Sequence, residues 1–293
     1  MTRFSDIECV VATTDRLGET PLWCERTRKL WWVDIEDPKL QSYDPATGRH
    51  ETRPMEAEYL GSLALTESGR FLVALDLGLH FLDAETGELT LLTEVEMGLD
   101  NRLNDGRVDG AGRLWIGTMD NQLSRPNGSL YRVGPDGTAT AMAGGVIVSN
   151  GIAHSPDGRV MYFTDTRRFV TWAFDVDPED GTLGERRVFA DYSETGDRPD
   201  GACVDVDGCL WQAFFAGSRV VRYGPRGEID RVIETPTTNP TCVCFGGGDY
   251  RTLYVTTASK FLSPEQRAAE PLAGALLAVQ GVGQGAPEHR FAG

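Results

Sequence analysis

The chain has 293 residues, a net charge of −16 and 34 glycines, and these properties restrict its structure and its partners. A chain of this length hides roughly 75% of its extended surface on folding, so a large core is expected. Nucleic acids are bound through Lys and Arg, so the acidic composition argues against a nucleic-acid partner. The glycines lie beside Asp, Asn and Pro, which indicates many tight turns rather than flexible linkers.

The chain shows no targeting or membrane signal. No apolar run approaches the ~20 residues of a membrane helix, and the N-terminus has no apolar region of a signal peptide. We therefore expect a cytoplasmic protein without a membrane partner. The sequence leaves the oligomeric state open between a monomer and a weak dimer. The cysteines show neither C-x-x-C nor zinc-finger spacing, so we expect reduced, buried side chains. They are Cys9, Cys24, Cys203, Cys209, Cys242 and Cys244.

One pattern recurs six times: a short strand, a tight turn, and a second strand rich in aromatic and β-branched residues. The second strands start at Leu30, Phe71, Leu114, Met161, Leu210 and Leu253. This spacing is typical of four-stranded propeller blades, and a third strand follows in each unit. The pattern predicts an all-β fold, a six-bladed β-propeller that forms a single domain over residues 1–293. A β-sandwich is the alternative, but it would not repeat so regularly.

Two segments fall outside the repeat. Residues 7–12 precede the first unit and need a partner, and pairing them with residues 275–280 would close the ring and remove two exposed edges. The stretch from Ser263 predicts a short helix inserted in the last unit. Ser263 is suited to the N-cap, Pro264 to the first turn and Gln266 to a capping box.

Three oxygen donors occupy similar positions in three units: Glu19, Asn150 and Asp200. In a propeller the first strand of each blade lines the central channel, so these side chains would converge at one mouth. Two carboxylates and an amide oxygen suit a divalent metal with open positions. The alternative is that Asn150 and Asp200 only shape N-G and D-G turns. Spacing alone leaves both interpretations open.

The segment N-R-L-N-D-G, residues 101–106, falls at the same mouth. Arg102 and Asn104 can direct hydrogen bonds to hydroxyl or carboxyl groups. A surface ion pair of Arg102 is the alternative, and for the isolated segment it is the favoured one.

Several motifs occur together in register: L-G-E-T-P-L-W, N-R-L-N-D-G-R, S-N-G-I-A-H-S-P-D-G and P-D-G-A-C-V-D. From about Ile7 to Ala292 the chain resembles the senescence-marker-protein (regucalcin)/gluconolactonase family. The resemblance implies a six-bladed propeller that hydrolyses sugar lactones with one divalent metal ion, which could be Ca, Zn, Mn, Mg or Fe(II).

The resemblance also implies roles for individual residues. Glu19, Asn150 and Asp200 would hold the metal, and Asp200 would also be the catalytic base. Arg102 and Asn104 would bind the sugar. Some members place a Glu just after G-T-M, whereas this chain has the sequence D-N-Q that ends at Gln122. Gln122 is therefore expected to contact the sugar with a different preference.

The expected reaction is hydrolysis of a pentono- or hexonolactone to the aldonic acid. One alternative is a non-catalytic calcium-binding protein of the regucalcin kind, and another is a propeller phosphotriesterase. The N-R-L-N-D segment favours lactones over phosphotriesters.

Overall fold

The computed structural model describes residues 6–293, which form six antiparallel four-stranded sheets. The innermost strand of each sheet contacts the innermost strands of the sheets on both sides, and the sixth sheet contacts the first. The sheets therefore form a closed ring, and the prediction of a six-bladed β-propeller is confirmed.

Each blade runs from the channel outwards in chain order, except that the outermost strand of the sixth blade is the N-terminal one. Blades 1 to 3 contain β2 (Gly18–Cys24), β3 (Lys29–Asp34), β4 (Lys39–Asp44), β5 (Arg49–Pro54), β6 (Leu60–Leu65), β7 (Phe71–Leu75), β8 (Gly78–Leu82), β9 (Leu89–Glu94), β10 (Asn101–Val108), β11 (Leu114–Asp120), β12 (Gly128–Val133) and β13 (Ala139–Val146). Blades 4 to 6 contain β14 (Ser149–His154), β15 (Val160–Asp165), β16 (Val170–Val176), β17 (Leu183–Asp191), β18 (Arg198–Val204), β19 (Leu210–Phe215), β20 (Arg219–Tyr223), β21 (Ile229–Glu234), β22 (Pro240–Gly246), β23 (Thr252–Thr257), β24 (Leu276–Gln280) and the N-terminal β1 (Ile7–Val11).

The first strand of the chain closes the ring. β1 pairs antiparallel with β24, with Ile7 opposite Val279 and Cys9 opposite Leu277. The predicted pairing of residues 7–12 with residues 275–280 is therefore confirmed. The sixth blade combines strands from both ends of the described chain. The edge of β24 that faces away from the channel is paired with β1 and is not left exposed.

We expect a protein that lacks residues 1–12 to unfold at a temperature at least about 5 °C below that of the intact chain. Without β1, the main-chain groups of β24 lose their partner strand. Differential scanning calorimetry measures the change, and a protein that lacks only residues 1–5 is the control. Equal melting temperatures for the two truncated proteins would contradict the role of β1. The same measurement also tests the domain organisation, because a single unfolding transition of the intact chain would agree with one domain over residues 1–293.

The remaining elements agree with the sequence in most respects. A short helix, α1 (Pro264–Ala269), has Ser263 as its N-cap and a capping box with Gln266. In the described part of the chain no helix is long and apolar enough to cross a membrane. All six cysteines are free thiols, and Cys9 differs from the expectation because it is only partly buried.

The inner strand of every blade contains a register shift near its first residues. The shifts lie between Glu19 and Leu22, Leu60 and Ser62, Leu103 and Gly106, Asn150 and Ala153, Pro199 and Ala202, and Pro240 and Cys242. Such bulges turn a side chain away from the pleat and bend the strand. They therefore direct the first residues of the inner strands towards the channel mouth.

The chain after β24 crosses the opposite face of the ring. Gly285 donates to the Tyr250 carbonyl at 2.9 Å, and Phe291, fully buried, donates its N–H to the Leu65 carbonyl at 2.8 Å. Between them, Glu288 pairs with Arg107 at 3.1 Å. Residues 281–293, which we call the C-terminal strap, thus cover the channel at the end away from Glu19.

Candidate active site

A cavity of about 440 Å³ opens at the mouth of the channel where the inner strands begin. It is lined by the first residues of β2, β10, β14 and β18 and by loops from the outer parts of the blades. All six residues that the sequence singled out line this one cavity: Glu19, Arg102, Asn104, Gln122, Asn150 and Asp200. All except Gln122 are buried.

Asn150 is held in one orientation by hydrogen bonds to both ends of its amide. Its Oδ1 accepts from Asn104 Nδ2 at 2.9 Å, and its Nδ2 donates to Thr166 Oγ1 at 2.9 Å. The Thr166 hydroxyl donates in turn to the Pro199 carbonyl at 2.7 Å. An amide oxygen has two lone pairs, so Asn150 Oδ1 can still bind a further partner.

Glu19 and Asp200 bring two carboxyl groups into a buried place. Burial raises the pKa of Glu19 to about 8, and the nearby Asp105 carboxylate adds to the shift. Burial, and then the charge of Glu19, raise the pKa of Asp200 well above its ordinary value. Arg102 lowers both pKa values, but its single positive charge does not offset the two carboxylates and Asp105.

This arrangement fits a divalent cation. Among residues 6–293 no three His, Cys, Asp or Glu side chains are grouped as a metal site, so Asn150 would have to be the third ligand. The donors are then all oxygen atoms, which suit Ca²⁺, Mg²⁺ or Mn²⁺ and are compatible with Zn²⁺. A cation would favour the charged form of both carboxyl groups and so offset the burial and the mutual repulsion that raise their pKa values.

Arg102 is buried in the cavity wall beside these groups. Its guanidinium donates to Asn104 Oδ1 and, at 3.2 Å, to the Leu103 carbonyl. Burial lowers the pKa of Arg102 to about 10, against the effect of Glu36, Tyr59 and the site carboxyl groups. No ion pair within 4 Å is formed by Arg102 in the described structure, so the surface ion pair considered from the sequence is not observed.

Gln122 differs from the other five residues because it is exposed at the rim. Its amide nitrogen donates to Asp100 Oδ2 at 3.2 Å, outside the cavity. Its side chain also lines a neighbouring hollow at the same mouth. A sugar contact through Gln122 remains a prediction.

The sequence profile of the SMP-30/Gluconolactonase/LRE-like region matches residues 17–259. The chain belongs to this family. It is 42% identical over 289 residues to the 6-deoxy-6-sulfogluconolactonase of Pseudomonas putida, covering 98% of this chain and 99% of that protein. It is 40% identical over 286 residues to the L-arabinolactonase of Azospirillum brasilense, covering 96% of this chain and 94% of that protein.

The structure is also similar to an experimental one. The calcium-binding protein regucalcin from Agrobacterium tumefaciens superimposes with a TM-score of 0.93 at 32% sequence identity, covering 97% of this chain and 96% of that one. The fold is thus shared with this regucalcin over almost the whole chain.

The backbone just before two of the proposed metal ligands is held in place by aspartates. The sequence analysis did not single out these aspartates. Asp34, at the end of β3, accepts from the N–H groups of Arg16 and Leu17 at 2.8 and 3.0 Å. Asp165, at the end of β15, accepts from the N–H groups of residues 147 and 148 at 2.9 and 3.1 Å. In each case the anchored segment ends two residues before a proposed ligand. The terminal Asp of the L-W-W-V-D and M-Y-F-T-D motifs was the available signal.

We expect Gly151→Ala to weaken the site and destabilise the protein by roughly 1–3 kcal/mol. Gly151 has φ 57°, and an added Cβ would lie 2.6 Å from Thr164 Oγ1 and 2.8 Å from Gln212 Nε2. Relief of these contacts would displace the neighbouring Asn150. Denaturant unfolding and calcium titration measure the two effects.

Gly48→Ala is the matched control, because Gly48 also has a positive φ but no atom within 4 Å of an added Cβ. It should show only the backbone cost of about 1 kcal/mol, with unchanged calcium binding. Equal effects of the two substitutions on calcium binding would contradict the argument.

Proposed function

We propose that this protein hydrolyses a five- or six-carbon sugar aldonolactone to the aldonic acid, with one divalent cation. The observation that carries the proposal is a single cavity that combines three hard oxygen donors with the guanidinium of Arg102 and the amide oxygen of Asn104. Both N–H groups of Asn104 donate to Ser149 and Asn150, so Asn104 can offer a substrate hydroxyl only the second lone pair of its Oδ1. The two curated relatives described above are sugar lactonases matched over almost their whole length. The regucalcin relative is a calcium-binding protein, which supports a divalent cation without identifying it.

In this proposal Glu19, Asn150 and Asp200 hold the cation. A divalent cation at this place supplies Lewis acidity, which polarises an ester carbonyl and lowers the pKa of water. Asn104 and Thr166 keep the Asn150 amide oxygen directed at the site through the two hydrogen bonds to its amide group. The protein thereby presents its donors in a fixed arrangement before the substrate binds.

Asp200 is proposed to move the proton. Its carboxyl group is buried at the cavity wall, and burial raises its pKa although the Gly201 N–H lowers it. Its carboxylate would take the proton of the attacking water as the new C–O bond forms. It would return that proton to the ring oxygen as the ring C–O bond breaks, so the lactone plus water gives one hydroxy acid.

Arg102 is proposed to stabilise the negative charge that develops on the carbonyl oxygen. Its guanidinium is buried, so its interaction with that charge is weakly screened. Asn104 would position a sugar hydroxyl beside it, and Gln122 would contact the sugar from the rim. An aryl ester would leave the remaining N–H groups of Arg102 and the free lone pair of Asn104 Oδ1 without partners, which a site of this kind discriminates against strongly.

The test is proton release over a set of pentono- and hexonolactones with Ca²⁺, Mg²⁺, Mn²⁺ or Zn²⁺, corrected for spontaneous hydrolysis. We expect kcat/KM for the best lactone to exceed those for paraoxon and phenyl acetate by about 10⁴-fold. If every lactone followed its uncatalysed rate with each metal, a non-catalytic calcium-binding protein would be the better interpretation. Faster cleavage of paraoxon would favour the phosphotriesterase.

A further inference from the structure

The cavity wall carries an excess of positive charge in a strongly acidic protein. The chain as a whole has a net charge of −16. The cationic residues that line the cavity are Arg102, Arg167, Arg198 and Lys260. The acidic residues that line it are Glu19 and Asp200, the two carboxylates proposed to hold the cation. With a divalent cation bound, the positive charge of the lining would exceed the negative charge of these two carboxylates and of Glu36, which pairs with Lys260.

Arg198 differs from the other three cations because its guanidinium has no partner in the described structure. It lies at the start of β18, is half-buried, and lines the cavity. Among residues 6–293 its guanidinium forms no hydrogen bond and no ion pair, although the neighbouring Asp197 pairs with Arg219 at 2.7 Å. Partly buried arginines usually have an acceptor, so Arg198 has donors available for a ligand.

Arg167 lies beside Arg198 on the adjacent blade. The residues next to them in sequence, Thr166 and Pro199, are joined by the 2.7 Å hydrogen bond described above. Arg167 Nε donates to the Leu123 carbonyl at 3.1 Å, and its two terminal nitrogens have no partner in the described structure. Two arginines, the exposed Arg167 and the half-buried Arg198, thus line the same cavity from adjacent blades.

The other side of the mouth is also positive. Lys260 and Arg16 both pair with Glu36, and the Arg16–Glu36 distance is 2.8 Å. Burial lowers the pKa of Lys260, and the charges of Arg102 and Arg16 contribute to the shift. Lys260 and Arg16 carry two positive charges against the one negative charge of Glu36. This side of the mouth therefore keeps a net positive charge, which adds to that of Arg167 and Arg198.

We propose that the preferred lactone carries an oxyanionic substituent, remote from the ring carbonyl, that binds between Arg167 and Arg198. This inference rests on the proposed lactone hydrolysis and specifies its substrate class. Guanidinium groups match the oxygens of phosphate, sulfate, sulfonate and carboxylate groups and bind them by paired, charge-assisted hydrogen bonds. A neutral hydroxymethyl group offers Arg198 one uncharged acceptor oxygen, which neither forms a paired contact with the guanidinium nor balances its charge.

The first experiment measures binding without chemistry. Isothermal titration calorimetry compares 1,5-anhydroglucitol, its 6-phosphate and its 6-sulfate, on the protein loaded with Ca²⁺. We expect the 6-phosphate or the 6-sulfate to bind about 10- to 100-fold more tightly than the neutral compound. The two charged ligands distinguish a dianionic from a monoanionic substituent. Arg198→Gln and Arg167→Gln should each reduce the preference by about tenfold or more.

Arg226→Gln is the matched control, because it removes the same charge from an exposed turn whose contact with Glu228 is long, at 3.6 Å. It should leave the preference unchanged. An equal loss of preference in Arg226→Gln and Arg198→Gln would mean that net charge alone is responsible, and the proposed subsite would be wrong.

The second experiment compares the turnover of glucono-1,5-lactone and its 6-phosphate. We expect the ratio of their kcat/KM values to favour the phosphate and to fall in both Arg variants. Hydrolysis of the neutral lactone with no preference for either charged compound would overturn this inference and leave the proposed function in place. Tight binding of a charged compound without turnover of any lactone would overturn the hydrolysis and leave the anion subsite supported.

Discussion

Asp200→Asn is expected to reduce kcat/KM for the best lactone by roughly 10³-fold or more. Removal of a general base alone costs about 10²- to 10⁴-fold, and the substitution also replaces a charged oxygen donor by a neutral one. The amide has nearly the same size as the carboxyl group, so the buried position remains filled. Steady-state kinetics with saturating metal, together with metal analysis, separates the two effects.

Asp207→Asn provides the control for this substitution, because Asp207 is an exposed acid in a turn of the same blade and pairs with Arg222. It should retain full activity. Arg102→Ala should raise KM and lower kcat moderately, since Arg102 is assigned to positioning and to stabilising charge. An Asp200→Asn protein with normal metal content and full turnover would refute the assignment of Asp200 as the base.

Removal of the divalent cation by a chelator is expected to abolish turnover and to lower the melting temperature. Without the cation, Glu19 and Asp200 are two buried carboxyl groups with raised pKa values, an arrangement that disfavours the folded state. A ligand that binds only the folded protein stabilises it by about 2.7 kcal/mol at 100 times its Kd. Calorimetric melting with and without each metal measures this effect independently of activity.

The cation should bind more tightly as the pH rises from 6 to 9. The Glu19 carboxyl has a raised pKa of about 8, so it must lose a proton to bind metal in the lower part of this range. Asn150→Leu removes one donor without changing the charge and should largely abolish the metal-dependent shift in melting temperature. Full activity and an unchanged melting temperature in rigorously metal-free protein would contradict the proposed metal site.

The architecture could be predicted from the sequence because each blade repeats one hydrophobic pattern. The strands that begin near Leu30 and Met161 both consist of a run of aromatic and aliphatic residues that ends in Asp, and such local signals survive in the fold. The pairing of β1 with β24 was predictable for another reason: an open ring would leave two edges unpaired.

The details of the site were less accessible. Glu19, Asn150 and Asp200 could be grouped because they occupy equivalent positions in a repeat. Thr166 could not, because its hydrogen bonds link Asn150 to a carbonyl of the next blade, and that contact exists only in the closed ring. Arg198 gave no signal either, since a single Arg at the start of a strand does not reveal that it lacks an acid partner.

The C-terminal strap has a consequence for the kinetics of turnover. It covers the channel at the end away from Glu19, where Arg107 and Glu288 pair, so substrate enters and product leaves by the same mouth. Hydrolysis would create a carboxylate inside a cavity lined by four cationic side chains, and we expect that new charge to delay departure of the product. Progress curves should therefore slow before the lactone is exhausted, and added aldonic acid should compete with the lactone, less strongly at high ionic strength.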